Sequence, residues 1–183
     1  ARRHHVPSDD KTLDRARARV QQILAAGGDG EAERATAPFA LDVMAGTVDQ
    51  GGADPVSLRV IADQIYDRRA ELPYFSRALL LHAMAVLGSD PLRVAALTKE
   101  LASGLHLDGN LCRFVSRDAA DAMFFDSGVR TSALVLRALL AASPEHPLIT
   151  PLAHGLLADR RGGAWRTTQE NAYALIALDA YRR

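Results

Sequence analysis

A chain of 183 residues with 22 basic against 22 acidic side chains carries no net charge, and no basic stripe marks it for nucleic acid. No apolar run is long enough to span a bilayer, and the single cysteine, Cys112, excludes an internal disulfide and any multi-cysteine zinc site. The length suits one domain with a sizeable core. Lysine occurs only at Lys11 and Lys99 among many arginines and alanines, a composition typical of GC-rich bacterial coding. The chain opens on Ala1 with no initiator methionine and no signal peptide, so an excised or processed piece is expected.

Residues 1–11 have no apolar period and are expected to be a disordered lead-in; His4 and His5 read as part of a ragged terminus rather than as a metal site. Ser8, Asp9 and Asp10 offer caps for a helix over about 12–26 with Leu13, Ala16 and Val20 on one face. Gly27, Gly28 and Gly30 end it, and they lack the Lys and Ser or Thr of a phosphate loop. Thr36-Ala37-Pro38 is expected to open a second helix through Thr47, buried by Phe39, Leu41, Val43 and Met44. Asp54-Pro55 starts a third, because Asp caps and Pro suits the first turn. Its pattern puts Val56, Val60, Ile61 and Ile65 inward and Arg59, Asp63, Asp67 and Arg68 outward.

A more apolar helix over 73–87 follows, then an Asp90-Pro91 start for one running to about Leu105. Between Asp108 and Asp126 lies an insert in which Leu111–Val115 and Ala122–Phe125 are the segments able to form two short strands. A helix over 127–142 is capped by Asp126, another follows Pro147 to Asp159, and the last begins at Thr167. There Thr167 and Glu170 form a capping box, with Trp165 across the helix entrance. From Ala172 the pattern is small and apolar on nearly every side, which predicts burial among other helices.

Three segments share one template, A-[LY]-x-L-x-A-[LM]: Ala78 to Met84, Ala133 to Leu139 and Ala172 to Leu178. The helices therefore alternate between mostly apolar ones, at 38, 73, 127 and 167, and amphipathic ones opened by a cap and proline, at 55, 91 and 147. Such hairpins must close into a ring or stack into a solenoid to hide their inner faces. The unequal spacing of the templates and the insert favour a ring. The fold expected is all-α: a partial α/α toroid of alternating inner and outer helices over residues 12–183, truncated at its N-terminal side, with a short β-hairpin insert.

Gly162-Gly163-Ala164-Trp165-Arg166-Thr167-Thr168-Gln169-Glu170-Asn171-Ala172-Tyr173-Ala174-Leu175 resembles the G-x-W-x-[ST]-T-Q-E-N-A-x-A-L signature of the thioester domain in bacterial alpha-2-macroglobulins. Asp126-Ser127-Gly128-Val129-Arg130-Thr131-Ser132-Ala133-Leu134 is similar to that family's D-S-x-x-R-x-x-A-L segment. The C-terminal third of the chain carries the resemblance; the rest matches in helical rhythm. The resemblance implies a periplasmic protease-trapping protein, membrane-anchored through its parent chain, whose thioester domain is a toroid of about six helix pairs. Its partners would be proteases and other macroglobulin-type domains, with no cofactor. Thioester chemistry needs a Cys-x-Glu-Gln motif, and Cys112 is followed instead by Arg113, Phe114 and Val115. Either the motif lies upstream, as a helix count short of the full ring suggests, or the chain belongs to the subgroup that lacks it.

No other residue earns a catalytic, cofactor or metal role. Cys112 in an apolar run reads as a buried hydrophobe, and His106, Asp108 and Cys112 lack a further ligand for zinc. His82 reads as a core or rim histidine. His146 and His154 share roughly one helical face, although His146 sits in a loop. Terpenoid cyclases use the same ring, and Gly163-x-Trp165 is similar to part of their Q-W repeat. No Asp-rich motif is present, however, and aromatics make up only 5% of the chain, too few to line a carbocation cavity. A prenyltransferase-like zinc site is not assembled either. A helical scaffold for binding another protein is the other reading. Because a partial ring exposes apolar ends, at Leu13, Val20 and Phe39 and at Leu175, Ile176 and Leu178, self-association is expected.

Overall fold

The computed structural model describes residues 30–48, 54–115 and 127–183, together with the helical positions Arg15, 18–20 and Gln22. The expected lead-in, most of the 12–26 helix, the 122–125 strand and Asp126 lie outside the described residues. The described chain is mainly helical, with one small antiparallel sheet. Among the described residues no helix is long and apolar enough to cross a membrane.

Helix α1 spans Glu31–Ala45, with Pro38 inside it. This corrects the expected start at Thr36. Proline removes one ladder bond, to the Arg34 carbonyl. The preceding turn forms regardless, because the Arg34 amide reaches the Gly30 carbonyl at 3.0 Å and Thr36 Oγ1 donates to the Ala32 carbonyl at 2.7 Å. One face buries Ala35, Leu41 and Met44, whereas Phe39 and Val43, expected inside, are 44% and 40% exposed.

Helix α2, Pro55–Asp67, starts as expected: the Asp54 carboxylate accepts from the amides of Val56 and Ser57 at 3.2 and 2.8 Å. The face it buries is a different one. Leu58, Ala62 and Tyr66, spaced by four, form the inward stripe, with Ile61 and Ile65 at its margin and Val56 and Val60 exposed. Small Ala62 in mid-stripe lets the helix approach its neighbours closely, which a β-branched side chain there would prevent.

Helix α3, Tyr74–Leu87, buries Ala78, Leu79, Leu80, Leu81, Ala83 and Met84. It ends at Gly88, whose φ of 64° allows the Ser89 amide to reach the Met84 carbonyl and its own to reach that of Ala85, the paired bonds of a Schellman stop. Helix α4, Pro91–Ser103, is capped by Asp90 on the Leu92 amide at 2.9 Å.

The insert holds a hairpin, but not the one expected. Strand β1, Leu105–Asp108, pairs antiparallel with β2, Leu111–Phe114, across a Gly109-Asn110 turn in which Gly109 has a φ of 57°. The sequence reading ends the preceding helix at about Leu105 and starts the insert at Asp108, which leaves the alternation Leu105-His106-Leu107-Asp108 without an element of its own. Gly104 stops that helix and the period of two takes over.

Helix α5, Gly128–Ala142, is buried from Arg130 through Leu136 and again at Ala138 and Leu139. Its cap is Ser127, whose Oγ accepts from the Arg130 amide at 3.0 Å, rather than Asp126. Helix α6 is Ile149–Ala158 and α7 is Thr168–Arg182. The last helix is not surrounded as its composition predicted. Only Glu170, Ala174 and Ala177 are buried, and Leu175 and Ile176 are 60% and 52% exposed. Its small residues form a narrow seam against α5 instead of an all-round core.

The packing follows the alternation. Helix α1 lies on α3, α3 on α5 and α5 on α7; α2 sits against α1 and α3, α4 against α3 and α5, and α6 against α5 and α7. Strand β2 is wedged against α5 and α6. The core is one continuous apolar cluster to which the odd-numbered helices contribute most, with α2, α4, α6 and β2 adding most of the rest.

Candidate functional site

The two segments that carry the macroglobulin resemblance meet at the N-terminal ends of α5 and α7. Arg130 Nη1 donates to Gln169 Oε1 at 2.9 Å, and the guanidinium lies 4.7 Å over the Phe75 ring. The capping box is complete: the Thr167 amide donates to Glu170 Oε2 at 3.0 Å and the Glu170 amide to Thr167 Oγ1 at 3.1 Å. Gly162 and Gly163, with φ of 60° and 90°, fold the preceding loop back so that Trp165 reaches α6. There its indole Nε1 donates to the Leu156 carbonyl at 2.9 Å. Asn171 closes the loop by accepting from the Trp165 amide and donating to the carbonyls of Trp165 and Thr167.

A cleft of about 750 Å3 opens beside this junction, lined by Ser127, Asp159, Arg161, Trp165 and Glu170 among others. Ser127, Trp165 and Glu170 are each held by the hydrogen bonds above, so these motif residues position helices. Replacing Thr167 by Ala should cost about 1 kcal/mol, the usual worth of an N-cap, and the loss should appear in the urea midpoint with the slope unchanged.

The polar centre that sequence reading did not assemble lies in the C-terminal halves of α1, α3 and α5. Asp42 of α1, buried to 6% exposure, receives His82 Nδ1 of α3 on Oδ1 at 2.6 Å. Arg137 of α5 donates to its other oxygen, Oδ2, at 2.8 Å through Nη1. Burial alone would push the Asp42 carboxyl up; the His82 hydrogen bond and the charges of His82 and Arg137 together outweigh it and hold the group below its ordinary range. His82 was singled out in the sequence as a core or rim residue, and it is one, with this partner. The signal for its partners was a lone charge inside an apolar run, Leu41-Asp42-Val43 and Leu136-Arg137-Ala138.

The remaining candidates are not brought together. The hairpin register pairs Leu107 with Cys112 and His106 with Arg113, so Cys112 lies on the opposite face from His106 and Asp108. Cys112 is fully buried, and burial pushes its thiol up. His146 Nδ1 accepts from the Leu148 amide at 3.3 Å, and His154 is exposed on α6. Among the described residues no three His, Cys, Asp or Glu side chains are grouped to hold a metal ion. In comparisons with known proteins, no family model matches this chain and no curated protein matches it.

Proposed function

We propose that this chain forms part of the α/α-toroid thioester domain of a bacterial alpha-2-macroglobulin-like protein, a broad-spectrum protease trap of the periplasm. It serves there as framework, without catalysis of its own. The observation that carries the reading is the Arg130 to Gln169 hydrogen bond. It links the D-S-x-x-R segment to the T-Q-E-N segment, so the two stretches that resemble the family act as one structural unit. The packing order also supports it: odd-numbered helices pack in succession and each even-numbered one touches the two it connects, the order that alternating inner and outer helices of a toroid would have. Its partners are then proteases and the neighbouring macroglobulin-type domains, and Leu175, left open on the last helix, is where a further unit or a second copy packs.

The full-length protein containing this chain, incubated with a trypsin-like protease, should suppress cleavage of a large protein substrate while hydrolysis of a small peptide substrate continues. Equal survival of both activities overturns the proposal. The chain itself should incorporate no methylamine, and its buried Cys112 should react slowly with a thiol reagent until denatured. Light scattering at roughly 100 μM, where weak interfaces populate, should show association; a strict monomer would mean that the ring is already closed.

A further inference from the structure

The Asp42 cluster opens onto a cleft of about 490 Å3 between α3, α5 and α7, lined by His82, Arg137, Leu140, Ile176, Asp179 and Arg183 among others. Its wall has two kinds of surface. One side is polar, where the Arg137 and His82 side chains keep 24% and 15% of their area open. The other is aliphatic, from Leu140, Ile176 and Ala180.

Nδ1 of His82 is committed to Asp42, which leaves Nε2 as the ring's remaining polar atom at the cleft. The Asp42 carboxylate is shared between His82 and Arg137, so a single negative charge faces two potential cations. Asp179, in the wall of the cleft, is bridged by both Arg182 and Arg183, whose two charges outweigh its one. The core of the three helices that carry the cluster is otherwise apolar, where an apolar trio would pack without any desolvation cost.

We infer that this cleft is a binding site for a monocarboxylate with a short aliphatic tail, its carboxylate set between His82 Nε2 and Arg137 and its tail on Ile176 and Leu140. The charge of His82 already helps to hold the Asp42 carboxyl low, and the same imidazolium has its second N–H, at Nε2, for the ligand's carboxylate.

The test is a proton NMR titration of the histidine ring signals with butyrate, His82 being assigned by its loss in His82→Asn. Butyrate should move the His82 signal saturably in the millimolar range, while butyramide and equal sodium chloride leave it in place. Ile176→Glu, at an exposed position that does not threaten folding, should weaken butyrate about tenfold by placing a carboxylate at the mouth. Tighter binding of acetyl-Ala-Leu than of butyrate, lost in its amide, assigns the site to a peptide chain end, whereas equal binding assigns it to a free acid; either upholds the site. A His82 signal indifferent to butyrate, or moved equally by butyramide, overturns it.

Discussion

Gly155→Ala should lower the melting temperature by about 10 °C, corresponding to about 3 kcal/mol for a domain of this size. Gly155 lies at the point where α6 rests on β2. A Cβ there would overlap the Cys112 carbonyl oxygen and sit 3.2 Å from its carbon and 3.3 Å from Arg113 Cγ. The first obstacles are backbone atoms, which a rotamer change cannot move aside. The hairpin would have to lift from α6, uncovering Cys112 and straining the ion pair of Arg113 with Asp159, 2.9 Å long. Gly88→Ala is the control. It has open space around its Cβ position, and its cost of about 1 kcal/mol comes only from the left-handed backbone. Thermal melts followed by circular dichroism should show Gly155→Ala well below Gly88→Ala, and the reverse order would mean that the hairpin does not dock on α6.

Asp42→Ala should be of similar size, about 3 kcal/mol, because it leaves the half-buried Arg137 and His82 without the carboxylate they share. The effect should depend on pH in a definite direction. The folded-state pKa of Asp42 lies below the ordinary 3.8, so its contribution is complete above that value and disappears as pH falls through the lowered one. The gap between wild type and Asp42→Ala should thus be constant at neutral pH and narrow on the acid side of pH 3.8. Replacing Asp42, His82 and Arg137 together by Leu, Leu and Met should recover most of the loss, since an apolar trio leaves no charge unpaired. Urea unfolding of both variants at pH 7 and pH 3 provides the comparison; a triple variant as unstable as the single one would show that shape, not charge, sets the cost.

Local chemistry was the legible part of this chain. Asp54-Pro55, Asp90-Pro91 and the Thr167 to Glu170 box each announce a helix start through donors within a few residues, and each is where the sequence puts it. Choice of face was harder to read. In α2 the valines at 56 and 60 compete with Leu58 and Ala62 for the inward stripe, and only the neighbouring helix decides. In α7 an alanine-rich pattern looks buried on every side, although small residues also suit a single tight seam. The hairpin was half visible: Leu111–Val115 read as a possible strand, but its partner, Leu105–Asp108, straddles the gap between the end of the helix and the start of the insert. Most remote from sequence was the Asp42 centre, whose Arg137 bond spans 95 positions. No periodicity or motif points across such a separation.

The order of packing has a bearing on how the molecule gains and loses its structure. Since each odd-numbered helix leans mainly on the next one, with an even-numbered helix behind the joint, cooperativity is of the nearest-neighbour kind seen in helical arrays. Helix α5, in contact with α3, α6, α7 and β2, is the natural place for order to begin, and from there it spreads toward both ends. The same asymmetry makes the ends the first to fray. Helix α2, with only Leu58, Ala62 and Tyr66 buried, can open while the α3 to α5 layer stays shut, so that unfolding proceeds from the rim inward.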